Sequence, residues 1–314
     1  YEVKKWYDLS TWENLYAATF PQFYVKTEGN RVFAKPNLTF KNLSFNAGLD
    51  FQPTSSFDIK LNYAKVGRTP NIAELFADGL HHSAAIIEVG NMGMKNEDGN
   101  QFNLNIEGKV NVLDGLRVTV NPYLLITKNF ITEIPTGIQN TIRGVFPVWS
   151  YRQIKAKMYG FDADAALKFN LYFEYRGTFS YVNGQDETND QPLIMMVPTN
   201  LSNSLEFKKV DWRNFYFKVQ QQTFLHQKRF PVYNPTIPIF ENGLDVEKTL
   251  DLSTPPPTYT LWSLQTGFDF NKHFSAGVNV TNLFDTNYKE YLNRMRYFSS
   301  EMGRNIIFNI KYNF

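Results

Sequence analysis

The segment LSFNAGLDFQPTSSFDIKLNY, residues 43–63, shows the pattern that governs most of the chain. Apolar residues occupy every odd position from 43 to 51, and again from 57 to 63, with polar or small residues at nearly all the even positions. A period of two residues predicts a β-strand with one apolar face and one polar face. The segment therefore predicts two antiparallel strands that are joined by a short turn at 52–56.

The same alternation recurs along the chain and predicts eleven strands from residue 43 onward. They fall at 43–51, 57–63, 102–106, 116–126, 159–169, 171–181, 201–207, 215–219, 261–270, 274–280 and 306–314. Their connections alternate between short turns and long loops. The long ones are 67–100, 128–157, 183–200, 226–260 and 282–304.

Loops sorted in this way are typical of transmembrane β-barrels, which have short turns on one side and long loops on the other. Strands of about ten residues also match a tilted crossing of the hydrocarbon layer. The sequence therefore predicts an all-β protein, an antiparallel transmembrane β-barrel, with residues 1–314 as a single barrel region. A soluble β-sandwich or lectin has the same alternation, and alternation alone does not separate the two.

Strand direction gives a count. The strand at 43–51 and the last strand run the same way, from the long-loop side to the short-turn side. Residues 1–42 are expected to hold one strand of opposite direction and an outer loop, which gives about twelve strands. Closed barrels of this kind usually have an even number.

Composition excludes several classes of protein. The 314 residues include 32 Lys and Arg, 30 Asp and Glu and no cysteine, and the net charge is +2. This balance gives no basic surface for nucleic acid, and the lack of cysteine excludes disulfides and thiolate sites. No run of about 18 apolar residues is present that would form a transmembrane helix. The chain begins at Tyr1 with no leader-like segment, so a signal peptide is expected to be absent or removed.

The last 37 residues, VNVTNLFDTNYKEYLNRMRYFSSEMGRNIIFNIKYNF, carry a family resemblance. The N-L-F-D box (Asn282–Asp285), the M-G-R turn (Met302–Arg304) and a final strand that ends in Phe314 resemble the C-terminus of TonB-dependent outer-membrane receptors. A second match is YAKVGRTPNIAELF (Tyr63–Phe76), followed by an acidic and G-N segment at Glu88–Asn91 and by Glu97. The alternative interpretation of the arginine–proline box is a rigid corner where a strand leaves the membrane.

The resemblance implies location, partners and function. It implies the bacterial outer membrane, a 22-stranded barrel of which about twelve strands are visible here, and a plug that couples to TonB and is not in this chain. It implies active import of a scarce nutrient, a small-molecule ligand such as a siderophore, haem, zinc or cobalamin-type metal chelate, with no intrinsic cofactor. Tyr312 and Phe314 resemble the signal read by the barrel-assembly machinery. The alternative is a passive pore of about twelve strands in outer-membrane lipid.

Within the first long loop, Thr69 and Pro70 suit the N-cap and first position of a short helix over Asn71–Asp78 that ends at Gly79. His81 and His82 follow, then Glu88. Imidazole and carboxylate groups suit zinc, and imidazole also suits haem iron. The two histidines are therefore candidate metal ligands, and with Glu88 candidate ligand-binding residues; the alternative is two solvated loop histidines.

His226 and Arg229 open a later loop and are also candidate ligand-binding residues, at the mouth for an anionic chelate or on a solvated rim. Enzymatic activity is not expected. The sequence has no G-x-S-x-G motif, and His82 and Ser83 are adjacent residues, which rarely form a working catalytic pair.

Overall fold

The computed structural model describes residues 1–234, 236–241, 244–249, 252–297 and 299–314. The described part is almost entirely β-structure, with two short α-helices. In chain order the elements are β1 (Lys5–Asp8), α1 (Leu9–Leu15), β2 (Tyr24–Glu28), β3 (Arg31–Ala34), β4 (Phe45–Thr54), β5 (Phe57–Arg68), α2 (Ile72–Phe76), β6 (Asp78–His81), β7 (Ile86–Val89), β8 (Glu97–Val110), β9 (Leu116–Thr141), β10 (Gly144–Lys168), β11 (Phe173–Asp186), β12 (Gln191–Pro192), β13 (Asn200–Lys209), β14 (Phe215–Phe224), β15 (Thr236–Glu241), β16 (Leu244–Thr249), β17 (Tyr259–Asp269), β18 (Phe274–Thr281) and β19 (Asn305–Tyr312). Single 3₁₀ turns cover Pro21–Phe23 and Arg294–Tyr297.

The main sheet is antiparallel along its whole path and confirms the eleven strands predicted from residue 43 onward. Its order is β4-β5-β8-β9-β10-β11-β13-β14-β17-β18-β19, with the short strands β6, β7 and β12 attached at the long-loop side. Strands that are adjacent in this sheet are also consecutive long strands in the sequence. Such up-and-down connectivity brings all the short turns to one end and all the long loops to the other.

The two faces of this sheet differ in the way that the alternation predicts. Leu49, Leu61 and Leu104 lie opposite one another on adjacent strands, while Asp50, Lys60 and Asn105 form the next row on the other face. The apolar row is open to the surroundings: Leu49 is 73% exposed and Leu61 is 47% exposed. A soluble sandwich buries its apolar face, so this exposure favours the membrane barrel over the sandwich.

Strands β9 and β10 form a hairpin with 26 and 25 residues per arm. The prediction of a loop at 128–157 is therefore wrong, because strand pairing continues up to Thr141 and Gly144. Register shifts occur between Val148 and Trp149 and between Ile154 and Ala156. A β-bulge moves the following side chains to the opposite face, which interrupts the period of two in the sequence. At about 3.3 Å per residue, each arm is far longer than one membrane crossing.

Residues 1–42 do not add a barrel strand, and that prediction is wrong. They form a separate three-stranded sheet of order β1-β3-β2 with α1 beside it. Tyr7, Trp12 and Tyr16 are buried there and pack against Leu75 and Phe76 of the first long loop. Because strands of only four or five residues are too short to cross the bilayer, they bury their apolar residues against protein instead. We call residues 1–42 together with residues 69–95 of the first long loop the outer unit.

Helix α2 begins later and ends earlier than predicted. Its N-cap is Asn71, whose side chain accepts from the Glu74 backbone N–H at 2.8 Å, while the Glu74 carboxylate accepts from the Asn71 N–H at 2.7 Å. This capping box replaces the expected Thr69 cap. The helix ends at Phe76, and Gly79 lies in β6 with a positive φ of 146°. No helix in the described part of the chain is long and apolar enough to cross a membrane.

Candidate ligand site between the long loops

The arginine–proline box fixes the first long loop to the barrel. The Arg68 guanidinium reaches both carboxylate oxygens of Glu74 at 3.0 Å, and through Nε and Nη2 it reaches Glu97 at 2.7 and 2.8 Å. Glu97 also accepts from the Ile131 backbone N–H at 2.7 Å. Paired, fork-like contacts of arginine with carboxylates are strong and directional. The box therefore forms a rigid corner at the end of β5, which agrees with the structural interpretation of this motif.

The G-N segment is fixed in the same place by backbone packing. A Cβ atom added at Gly90 would lie 2.7 Å from backbone atoms of Leu75, Phe76 and Ala77, so only glycine fits here. Its carbonyl accepts from the buried Tyr16 hydroxyl at 2.8 Å. The motif thus joins residues 1–42 to the first long loop.

The C-terminal motifs bind each other. Asn282 is buried and holds Thr286 through two hydrogen bonds, N–H to Oδ1 at 2.8 Å and Nδ2 to the carbonyl at 2.9 Å. Asp285 Oδ1 accepts from the Arg304 N–H at 2.8 Å, and a Cβ at Gly303 would lie 2.6 Å from this same oxygen. The N-L-F-D box and the M-G-R turn therefore form a clasp at the top of the last hairpin. At the opposite end, Tyr312 is the last residue of the edge strand β19 and Phe314 follows it, and they are 56% and 108% exposed.

The structure separates His81 from His82. His81 Nδ1 lies 2.8 Å from Glu88 Oε1, and its Nε2 lies 3.1 Å from the Ser83 hydroxyl. His82 instead faces Arg143, with Nε2 and Nη1 3.2 Å apart. Within the described ranges, no group of three or more histidine, aspartate and glutamate residues is placed to hold a metal ion. His81 and Glu88 form a pair that His82 does not join.

His226 and Arg229 lie elsewhere in the long-loop region. The His226 ring contacts the Pro256 carbonyl at 3.0 Å. Arg229 donates to Gln185 at 2.7 Å and lines a cavity of about 440 Å³ together with Lys157 and Asp190. Apart from the His81–Glu88 pair, the five predicted site residues therefore occupy separate places rather than one pocket, and their role in ligand binding stays a prediction.

A larger cavity, which we call the first cavity, lies between four of the long connections and has a volume of about 1040 Å³. Its walls come from residues 84–86 of the first long loop, from residues 145 and 147 at the tip of the β9–β10 hairpin, from residues 249, 252, 254 and 256–260, and from residues 286–289, 296, 297 and 300. Among its lining residues are three tyrosines and two basic residues: Tyr259, Tyr288, Tyr297, Lys289 and Arg296.

The wall of the first cavity carries positive charge, aromatic rings and hydroxyl groups. The Arg296 guanidinium is buried, donates to the carbonyls of Tyr291 and Leu252 and to the Tyr297 hydroxyl, and stacks on the rings of Tyr291 and Tyr297. The rings of Tyr259 and Tyr288 lie 4.8 Å apart. Burial raises the pKa of Tyr288 and keeps its hydroxyl protonated, and so available as a donor. Lys289 is exposed and provides a positive charge at the rim.

Sequence reasoning missed the first cavity because its wall is built from segments far apart in the chain. The local signals were the proline run at 255–257 and the aromatic and basic residues from Tyr288 to Tyr297, and neither has the period of a strand. Together the wall offers hydroxyl donors, aromatic faces and positive charge. Such a surface suits a bulky polar ligand that carries negative charge.

An up-and-down sheet with an exposed apolar face and a motif clasp at its C-terminus is the wall of an outer-membrane β-barrel. The family "TonB dependent receptor-like, beta-barrel" matches residues 10–283. The chain belongs to this family, which consists of transport proteins of the Gram-negative outer membrane and not of enzymes. A comparison with curated proteins finds no match.

Solved structures that match this fold include siderophore receptors and a copper transporter. The copper transporter OprC has a TM-score of 0.66 at 14% identity, over 86% of this chain and 38% of its own. The siderophore receptor PirA from Acinetobacter baumannii has a TM-score of 0.61 at 16% identity, over 87% of this chain and 41% of its own. The pyoverdine receptor FpvA from Pseudomonas aeruginosa PAO1 has a TM-score of 0.56 at 15% identity, over 85% and 35%. The chain therefore spans about two fifths of the length of these structures.

Proposed function

We propose that this barrel wall belongs to a receptor that actively imports a scarce nutrient through the outer membrane, energised through TonB. The ligand is a metal chelate of the siderophore, haem, zinc or cobalamin type. The observation that carries the proposal is the first cavity, which lies on the long-loop side where an external ligand arrives. Its tyrosines and basic residues suit a chelate with negative charge, and related structures include siderophore receptors.

The partners follow from the family. The receptor would contact outer-membrane lipid through its exposed apolar face and would be assembled through its terminal strand, Asn305–Tyr312, and the aromatic residues Tyr312 and Phe314. TonB would act on a plug that is supplied by sequence other than the residues seen here. In this arrangement the described residues provide the loops and the wall, and the plug provides the moving part.

The alternative is a passive pore, and strand direction disfavours a pore made from this sheet alone. The path from β4 to β19 contains eleven antiparallel strands, so its two edge strands run in the same direction. If they paired directly, the seam would be parallel. An antiparallel barrel built on this sheet needs an odd number of additional strands, and bacterial single-chain barrels are of that antiparallel kind.

Ligand binding by the full-length receptor in detergent tests the proposal. Isothermal titration with ferric siderophores, haemin, cobalamin and zinc should identify at least one that binds. Lys289→Ala, at the rim of the first cavity, should weaken binding of an anionic chelate about tenfold, which corresponds to ~1.4 kcal/mol. The matched control Lys272→Ala removes a lysine from a short turn at the opposite end and should leave the affinity unchanged. Equal effects of the two substitutions would exclude the first cavity as the site.

The histidine predictions are tested in the same titrations. If His81 and Glu88 contact the ligand, His81→Ala weakens binding of zinc or haemin, whereas His82→Ala has less effect because His82 faces Arg143. His226→Ala and Arg229→Ala extend the series to the other two places. Unchanged affinity in all four variants would remove these residues from the site. Uptake that persists after an uncoupler collapses the proton gradient would favour the pore.

A further inference from the structure

A second cavity of about 380 Å³ lies behind the wall of the first. It is lined by residues 130–133 of the β9–β10 hairpin, residues 193–196 after β12, and Leu292 and Arg294 of the last long loop. The 3₁₀ turn Arg294–Tyr297 stands between the two cavities: Arg294 faces the second, and Arg296 and Tyr297 face the first. The second cavity is therefore a separate compartment.

The lining of the second cavity is apolar except at one end. Most of its wall is aliphatic, aromatic or thioether; these residues are Phe130, Ile131, Leu193, Ile194, Met195, Met196 and Leu292. The charged end consists of Glu133 and Arg294. Methionine side chains adapt to irregular ligands because they are unbranched and polarizable.

Glu133 has an unmet hydrogen-bonding requirement. Its side chain is 8% exposed, and one carboxylate oxygen, Oε2, is held by the Arg294 guanidinium. The other oxygen, Oε1, is shielded from solvent and has no hydrogen-bond partner among the described residues. Leaving a buried acceptor unpaired costs about 1–3 kcal/mol, and more for a charged group. A donor that reached this oxygen would recover that energy.

The local charge is negative. The carboxylates of Glu88 and Glu133 share one guanidinium, because Arg294 Nη1 also lies 3.8 Å from Glu88. The same guanidinium lies over the Trp149 ring, 4.4 Å from its centroid, and Trp149 is buried. Two carboxylates with one fixed cation leave one negative charge when His81 is neutral. A second cation would balance this charge.

We propose that the second cavity is a binding site for a small ammonium or guanidinium group that is carried on an apolar body. The cation donates to Glu133 Oε1, and the apolar body fills the space between the hairpin and residues 193–196. Rotation of the carboxylate about its Cγ–Cδ bond, a soft torsion, turns the oxygen toward the cavity. The site is distinct from the first cavity and goes beyond the proposed import of a metal chelate.

The pKa of Glu133 makes the proposed cation binding dependent on pH. Glu133 lies beyond the part of β9 that pairs with β8, which ends at Lys128, so it is outside the membrane-spanning segment. Burial raises the pKa of the Glu133 carboxyl, and the Arg294 guanidinium only partly offsets this. Acidification should therefore protonate Glu133 at a higher pH than an exposed glutamate. Protonation removes the negative charge and should weaken binding of the cation.

Benzylammonium and its uncharged analogue benzyl alcohol are the probes. Titrated into the full-length receptor at neutral pH, benzylammonium should bind at least tenfold more tightly than benzyl alcohol. Glu133→Gln should remove this preference. Because that change also disturbs Arg294, a second variant, Leu292→Trp, fills the cavity without changing the carboxylate and should abolish binding of both probes. Lys272→Ala, in the short turn between β17 and β18, is the control and should leave both affinities unchanged.

Equal binding of the two probes, full retention of benzylammonium in Leu292→Trp, or no binding at all would overturn the proposal. A binding preference that survives in Glu133→Gln would do the same. Chelate titrations on the same protein separate the two ideas, because the first and second cavities share no lining residue. Loss of chelate binding with retained amine binding would contradict the proposed function alone.

Discussion

The barrel sheet and the outer unit use apolar residues in opposite ways. On the barrel, Leu49 and Phe308 are 73% and 74% exposed, whereas in the outer unit Tyr7 and Trp12 are 0% and 4% exposed. Both regions are β-structure with many aromatic residues. The surroundings of the apolar side chains explain this contrast. The apolar face of the long strands contacts lipid, whereas the apolar side chains of the short strands pack against protein.

The largest expected effect comes from the outer unit. Trp12→Ala removes a buried indole that packs against Tyr7 and Tyr16, with ring centroids 5.7 and 5.9 Å away. We expect a loss of about 3–5 kcal/mol in the local stability of this unit. Hydrogen exchange of residues 1–42 in the full-length receptor measures it.

The matched control lies on the same helix. Leu15 is 48% exposed, so Leu15→Ala should change the stability by less than ~0.5 kcal/mol. If both substitutions speed exchange equally, the outer unit has no packed core and the comparison fails.

The second effect tests the face that meets lipid. Leu205, near the middle of β13, is 45% exposed on the apolar face, and its neighbour Ser204 points to the other face. Leu205→Arg should cost about 2–4 kcal/mol in a bilayer, because a charge at the midplane loses its hydration. Chemical unfolding of the receptor from phospholipid vesicles measures the change.

Ser204→Arg is the control for that substitution. It places the same side chain in the polar interior and should cost much less. A larger loss for Ser204→Arg than for Leu205→Arg would reverse the assignment of the two faces.

The smallest effect concerns pH. Burial raises the pKa of Asp78, and the Lys5 ammonium offsets only part of that rise. A carboxyl whose folded-state pKa is raised binds its proton at higher pH when folded than when unfolded. Its contribution therefore favours folding at low pH and is lost as pH rises through the folded-state pKa.

Asp78→Asn removes this dependence. The unfolding free energy of the variant minus that of the native chain should be larger at neutral pH than at acidic pH. The ¹⁹F signal of fluorotryptophan at Trp12, followed during chemical unfolding at both pH values, measures the difference. If the difference in unfolding free energy between the variant and the native chain does not change with pH, Asp78 is not desolvated in the outer unit.

The barrel was predictable from the sequence because a transmembrane strand must alternate apolar residues that face lipid with polar residues that face the interior. The eleven strands, their order and the side of their loops all follow from period two and loop length. The same rule fails at the β9–β10 hairpin, where bulges at Val148 and Ile154 shift the period. It also fails in residues 1–42, where short strands carry too few residues to show any period.

The motifs were recognisable, but their physical roles were not. Arg68 belongs to a sequence box, yet only its contacts with Glu74 and Glu97 show that it anchors a loop. Asn282, Asp285 and Gly303 were matched separately, and the structure shows that they form one clasp. His81 and His82 were paired in the sequence and are separated in space by the partners that each one finds.

By itself the sequence determined the barrel strands, the two faces of the sheet and the family resemblance, since alternation and turn chemistry are local properties of neighbouring residues. The tertiary structure alone decided the outer unit, the two cavities and the neighbours of Glu133 and Arg294. Those features join residues that lie far apart in the chain; Glu133 and Arg294, for example, are 161 positions apart. Which distant loops meet depends on packing that no local pattern encodes.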